Sequence, residues 1–283
     1  MRQLPSPRSV LIWSRRKPLG ALGLLVVVAG VLMAIAAPLV SPYDPLELHS
    51  ADKWQGPSTT FLLGTDNFGR DVLSRLIHGA RVSILIGVAA TVLGTAVGVF
   101  LGIISGYRGG WAGAIIQRGM EMLLTLPGLL LALVFVVAIA QSLVSVVIAI
   151  GTAMVAGFAL VIRGVVLSLR ETEFVEAARA LGCTQKRIVI RHILPNVVAP
   201  SLVLISVNVG NAMVVEASLS FLGVGVQPPT PTWGQMLSQA SVSFRLNPIV
   251  AIAPGAALTL MVFGFNVLGD ALRDTLDPRL RGR

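Results

Sequence analysis

The chain has 283 residues, 54% hydrophobic and only 12% charged, with a mean hydropathy of +0.82 and a formal net charge of +9. A soluble domain carries about a quarter charged residues, so charges this sparse cannot coat a water-facing surface. That excludes a soluble globular chain and a disordered one, and the lone Cys183 excludes an intrachain disulfide or a multi-cysteine metal site.

Six apolar runs of about twenty residues predict six membrane-spanning helices. A basic tail (1–18) precedes the first run, 19–40. That run is longer than the roughly 7–15 residues of a signal h-region, so an uncleaved first helix is expected despite the small-residue stretch Ala34-Ile35-Ala36. A polar segment, 41–81, follows, and a five-helix core is predicted over 82–269. Its spans fall at 82–106, 121–140, 143–162, 197–216 and 249–269, with a tight hairpin at Gln141-Ser142. Continuous apolar runs favour helices over barrel strands, which alternate. In the second span Gly94, Gly98, Gly102 and Gly106 recur every fourth residue, a ridge that permits close approach of another helix. The polar segment 217–248 carries Pro228-Pro229-Thr230-Pro231, a rigid turn-rich run beside Trp233, an expected interfacial aromatic. Residues 270–283 form a C-terminal tail.

Basic residues orient the chain. Of the 22 Lys and Arg, 17 lie in the two tails and the 107–120 and 163–196 loops, and five (Lys53, Arg70, Arg75, Arg81, Arg245) lie on the other side. Both termini are therefore expected in the cytoplasm, and the even number of spans agrees. The excess positive charge reads as topology rather than as nucleic-acid binding.

Catalytic and energy-coupling motifs are not found. None of Lys17, Lys53 and Lys186 is followed by Ser or Thr, so no phosphate-binding G-x-x-x-x-G-K-[ST] loop exists. There is no G-x-S-x-G elbow, and His49, His78 and His192 lack metal-ligand spacing. An ion-driven carrier usually places ionisable groups at mid-membrane, yet Glu121, Glu216 and Asp270 are predicted at span ends. Asn208, Asn211 and Asn266 are polar residues inside the spans. They either hydrogen-bond between helices or line a translocation path. In the 41–81 segment, Asp66, Arg70 and Asp71 either contact a partner or form a local ion network.

The 163–196 loop is the most informative. Strong helix formers fill 173–181, with acidic residues in the first turn suiting the helix dipole. Gly182 sits where a left-handed residue ends a helix. Phe174, Ala178 and Leu181 form a narrow apolar stripe, Thr184 can cap a second short helix, and Pro195 opens the fifth span. Such a helix either rests on the lipid surface or inserts into a groove on another protein. One Phe, the small Ala177 and Ala178, and charges of mixed sign favour the protein groove.

Glu176-Ala177-Ala178-x-x-x-Gly182, followed by His192-Ile193-Leu194-Pro195, resembles the EAA loop of ABC-importer permeases. The stretches Leu63–Leu76, Glu216–Gly234 and Gly269–Leu280 resemble the C-type permease of the dipeptide/oligopeptide/nickel branch. In one place, Glu121, an aspartate is expected. The resemblance implies an all-α membrane protein of the type I ABC-importer permease fold in the bacterial plasma (inner) membrane, without an ATP site or cofactor of its own. It also implies a heterodimer with a B-type permease, an extracytoplasmic binding protein, and two cytoplasmic ATPase subunits that carry ATP and Mg. Glu171, Glu173, Phe174, Glu176, Ala177, Ala178, Leu181 and Gly182 would then dock the ATPase, with Glu171 to Leu181 as the coupling helix. The cargo implied is a di- or oligopeptide, with nickel or glutathione as alternatives.

Overall fold

A computed structural model of the chain describes residues 17–139, 141–241 and 246–276. Arg2, Arg8, Arg15 and Arg16 of the N-terminal tail, Arg245, and the tail from Asp277 to Arg283 lie outside the described residues. The described residues are mostly helical and contain no strand, only one isolated bridge between Thr65 and Asp71. They fall into two compact units, one drawn from 1–87, 141–143 and 206–283, the other from 88–140 and 144–205.

In the first unit, α1 (Pro18–Ile35) opens with Pro at its first position, where a missing N–H costs nothing. A four-residue turn, α2 (Ala37–Val40), follows it. Helix α1 lies against the last helix, α11 (Ile249–Leu276), through glycines. A methyl group placed on Gly23 would lie 2.8 Å from the Gly264 carbonyl oxygen, and one on Gly30 would lie 2.4 Å from Met261 Sδ. Lys17 Nζ meets Asp274 Oδ2 at 2.6 Å, so the start of α1 and the end of α11 share one side.

In the second unit the glycine ridge is occupied. Helix α3 (Val72–Arg108) packs its Gly94, Gly98, Gly102 and Gly106 on α6 (Leu143–Arg170). Added methyl groups would lie 2.7 Å from Gly151 O, 2.6 Å from Phe158 Cβ, 2.8 Å from Ala159 O and 2.9 Å from Val166 Cβ, respectively. Contacts this close exclude any side chain, and dispersion between touching backbones holds the pair.

The helices differ from the sequence reading in several places; α6, for one, runs on past 162 to Arg170. Helix α3 begins at Val72, not at 82, because Asp71 caps it: the Ser74 N–H donates to Asp71 Oδ2 at 2.8 Å. At 37 residues it runs about 55 Å, nearly twice a bilayer core of roughly 30 Å. The expected third span, 121–140, is instead two helices, α4 (Gly110–Leu124) and α5 (Gly128–Ile139), bent by 95° at Thr125-Leu126-Pro127. Pro127 cannot donate a backbone bond and pushes Leu126 out of helical geometry. The last helix continues to Leu276, so the first residues of the expected C-terminal tail are helical. Among the described residues five helices are long and apolar enough to span a membrane, six if the bent pair is one span.

Candidate functional site

The 163–196 loop folds into a short surface helix mounted on its own apolar core. Helix α6 ends at Arg170, whose Nε meets Glu171 Oε1 at 2.7 Å. Thr172 turns the chain by donating its hydroxyl to Leu169 O, and α7 (Glu173–Ala180) begins with Glu173 and Glu176 in its first turn. The helix ends in a Schellman motif. Gly182, at φ +75°, donates to Arg179 O at 2.9 Å and Cys183 donates to Ala178 O at 3.0 Å. A Cβ at Gly182 would touch nothing within 4 Å, so glycine is needed there for backbone conformation alone.

Beneath α7, Val175 and Ala178 are buried with Ile162, Val166, Ile188, Ile193 and Val197, and with Ile103 of α3. Arg179 sits over the Tyr107 ring, 5.9 Å from its centroid, a cation–π contact. The opposite face carries Glu173, Phe174, Glu176 and Ala177, all exposed, and Leu181 is 84% exposed just past the helix.

Two expectations for this segment are corrected. The helix starts at Glu173, so Glu171 lies outside it, paired with Arg170. The stripe Phe174–Ala178–Leu181 is not one face toward a partner: Ala178 is buried inward beside Val175 and is not available for docking. Helical spacing was read correctly, but Val175, one residue after Phe174, shifts the inward face.

After Gly182 the chain re-enters a helix at once. The Thr184 hydroxyl accepts from the Arg187 N–H at 3.4 Å, capping α8 (Gln185–Ile188). A π turn, Val189–Ile193, then leads into α9 (Leu194–Phe221). Pro195 is the second residue of α9, as expected, but the helical run is continuous from Gln185. Its ring clashes with a carbonyl one turn back; the wider π turn relieves that clash, and Asn196 Nδ2 donates to His192 O at 2.7 Å. The His192 ring lies 6.3 Å from that of Phe174, and Ile193 is fully buried, whereas Leu194 and Pro195 are exposed.

The segments predicted as polar loops are ordered by buried contacts. Asp66, Arg70, Asp71 and Arg75 are 4, 6, 1 and 1% exposed. Arg70 meets Asp66 Oδ2 at 2.7 Å and Arg75 approaches it at 3.5 Å, and both arginines donate to Gln239 Oε1. Asp71 accepts from the Ser74 hydroxyl. Of the two readings for Asp66, Arg70 and Asp71, the structure shows the local one: Asp66 and Arg70 are buried in an ion network with Arg75, and the buried Asp71 caps α3 rather than facing a partner. The expected surface aromatic is corrected. Trp233 is 1% exposed, opens α10 (Trp233–Ser241), and donates its indole N–H to Leu76 O at 2.9 Å. Sequence reasoning missed Arg75 and Trp233 because their partners lie far along the chain.

In the apolar helices, Asn211 and Asn266 are exposed and Asn208 is half-buried. Glu216 is fully buried in α9, five residues before its end, and accepts from the Ser220 hydroxyl at 2.9 Å.

Comparison with known proteins gives concordant matches. Residues 98–282 match the family "binding-protein-dependent transport system inner membrane component", and 13–57 match the N-terminal transmembrane domain of oligopeptide transport permease C. The dipeptide transport system permease protein of Alkalihalophilus pseudofirmus is 39% identical over 267 residues, covering 94% of this chain and 88% of that one. The glutathione transport system permease protein of Shigella flexneri is 41% identical over 269 residues, covering 95% and 89%. In three dimensions the chain resembles the inward-facing MetNI methionine ABC transporter, with a TM-score of 0.58 and 16% identity over 72% of this chain and 97% of that one. The chain therefore belongs to the binding-protein-dependent permeases of ABC importers, as an inner-membrane C-type subunit of the branch that holds the dipeptide and glutathione systems.

Proposed function

We propose that this chain is one half of a peptide-translocating pore, driven by separate ATPase subunits through α7. Both termini and α7 lie on the cytoplasmic side, as the distribution of basic residues supports. The second half is a B-type permease, and two ATPase subunits carrying ATP and Mg seat beneath the pair. The chain itself performs no chemistry on nucleotide.

The observation that carries this reading is the mounting of α7. An eight-residue helix, anchored inward by Val175 and Ala178, presents Glu173, Phe174, Glu176, Ala177 and Leu181 outward as a rigid knob. A ligand shifts a conformational equilibrium only by its differential affinity for the two states, so a rigidly held helix transmits ATPase closure where a floppy one would absorb it. Because α7, α6, α3 and the start of α9 share one apolar cluster, a push on α7 moves span ends directly.

The exposed Leu46, Leu48, Leu62 and Phe68 of the exported 41–71 segment are the side chains offered to a binding protein. Asn211 and Asn266 support a polar path: an exposed carboxamide facing hydrocarbon is costly, so these side chains face the second permease or the cargo. A di- or oligopeptide cargo fits the dipeptide relative. Glutathione is a second reading, favoured by the glutathione permeases at 39–41% identity.

The test is the variant Gly182→Val in the reconstituted complex. A β-branched residue at φ +75° opposes the Schellman turn by roughly 1–2 kcal/mol and is expected to disorder the end of α7. Substrate-stimulated ATP turnover and uptake should both fall. Unchanged uptake and turnover would remove α7 as the coupling element. Uptake by the purified chain alone under an ion gradient, without ATP, would instead establish a secondary carrier.

A further inference from the structure

We infer that a groove at the C-terminal end of α3 binds the head group of an acidic phospholipid. The groove has a volume of about 370 Å³ and lies between the last turns of α3 and the helical segment after Gly182. Its lining is aliphatic where Ile103 and Ile104 of α3 meet Val189 and the exposed Ile190 of the π turn. Its rim is polar: Tyr107 and Arg108 on one side, Gln185 and Lys186 on the other.

This gradient matches a membrane surface in depth. Ile103 and Ile104 belong to the apolar run that spans the bilayer, and Arg108 stands at the last residue of α3. A ligand there meets hydrocarbon below and two cations above. Both cations are exposed, and neither makes a hydrogen bond or ion pair among the described residues. Three other boundary cations have a carboxylate beside them: Arg118 with Glu121 at 3.1 Å, Arg170 with Glu171 at 2.7 Å and Lys17 with Asp274 at 2.6 Å. No carboxylate lines the groove, so its two positive charges are left for an external anion.

A phosphodiester accepts charge-assisted hydrogen bonds from a guanidinium and an ammonium together, and the acyl chain attached to it covers the aliphatic lining. Basic pockets between spanning helices suit such lipids. Inorganic phosphate alone would leave the isoleucines bare. An acidic loop of a soluble protein would have to reach hydrocarbon depth to cover them. The inference rests on the membrane placement of α3 and is independent of the role proposed for α7.

The experiment uses the full-length chain in nanodiscs of phosphatidylcholine with and without phosphatidylglycerol. Retained lipid is read by native mass spectrometry after gentle release. The parent is expected to retain phosphatidylglycerol in preference to phosphatidylcholine. The double variant Arg108→Gln/Lys186→Gln should lose that preference roughly thirtyfold, from two basic contacts of about 1 kcal/mol each. The charge-preserving variant Arg108→Lys/Lys186→Arg should keep it, which separates loss of charge from loss of fold. Excess inorganic phosphate should not displace the lipid. The proposal is overturned by an unchanged preference in the Gln variant or an equal loss in the charge-preserving one. It is also overturned if phosphate displaces the lipid, or if the Gln variant loses ATPase co-purification while lipid retention stays as in the parent.

Discussion

The 171–196 segment and the 41–81 segment are both polar stretches between apolar runs, yet they take their local shape from partners at different distances along the chain. The first is built from near neighbours: a threonine turn, an eight-residue helix, a Schellman glycine, a second threonine cap and a π turn before Pro195. The second is a turn-rich loop with bonds of its own, such as Trp54 N–H to Asp66 O and Thr65 N–H to Gln55 O, followed by the first turns of α3. It is tied as well to distant partners. Gln239 binds Arg70 and Arg75, Asn247 Nδ2 donates to Gln55 O at 2.9 Å, and Trp233 reaches Leu76. The segment proposed as a lever takes its shape chiefly from near neighbours, whereas the segment proposed as a platform is fixed by its surroundings as well.

The largest effect tests the platform. Asp66→Ala leaves two buried arginines without their carboxylate, and breaking a buried pair from one side costs about 3–5 kcal/mol. Thermal unfolding in detergent should drop sharply, and proteolysis within 41–71 should quicken. A change no larger than that of an exposed-pair variant would show the network to be dispensable. Next comes the helix ridge. Gly98→Leu forces a side chain into a site where even a methyl meets Phe158 Cβ at 2.6 Å. Overpacking of this kind costs about 1–3 kcal/mol, visible as a lowered unfolding temperature.

Smaller in stability, but sharper in function, is Gly182→Val. Its strain is confined to one backbone turn, so global unfolding should shift by no more than about 1–2 kcal/mol while ATP-coupled uptake falls. Asp66→Ala should behave conversely, losing stability with no separate effect on ATPase docking. If both variants lowered stability equally and neither altered docking, the contrast between lever and platform would fail. Smallest of all, Glu176→Gln changes an exposed helix residue and should move stability by less than about 0.5 kcal/mol. Any loss of ATPase association beyond that measures a contact made by Glu176 to the partner.

The legibility of the candidate site follows the same division. The acidic first turn of α7, the stop at Gly182 and the Thr184 cap all depend on residues within one or two turns, and each is readable from the sequence. The inward direction of Ala178 was not, because it depends on Ile162, Val166 and Ile188 packing beneath it. The break at Pro127 was written in the sequence as Leu-Pro-Gly, but the apolar run around it reads as continuous. Hydropathy sums residues without regard to backbone hydrogen bonds, so it passes over a proline that a backbone cannot.

By itself, the sequence determined that the chain lives in a bilayer, how many apolar runs it has, where the positive charges lie and where the short helix stops. These follow from transfer free energies and local backbone preferences, which each residue carries with it. Only the tertiary structure decided that Trp233 and the Asp66–Arg70–Arg75 cluster are buried, that the glycine ridge of α3 lies on α6, and that two cations near the end of α3 remain unpaired. Those outcomes depend on which distant segments meet, and burial converts the same side chains from surface contacts into internal supports.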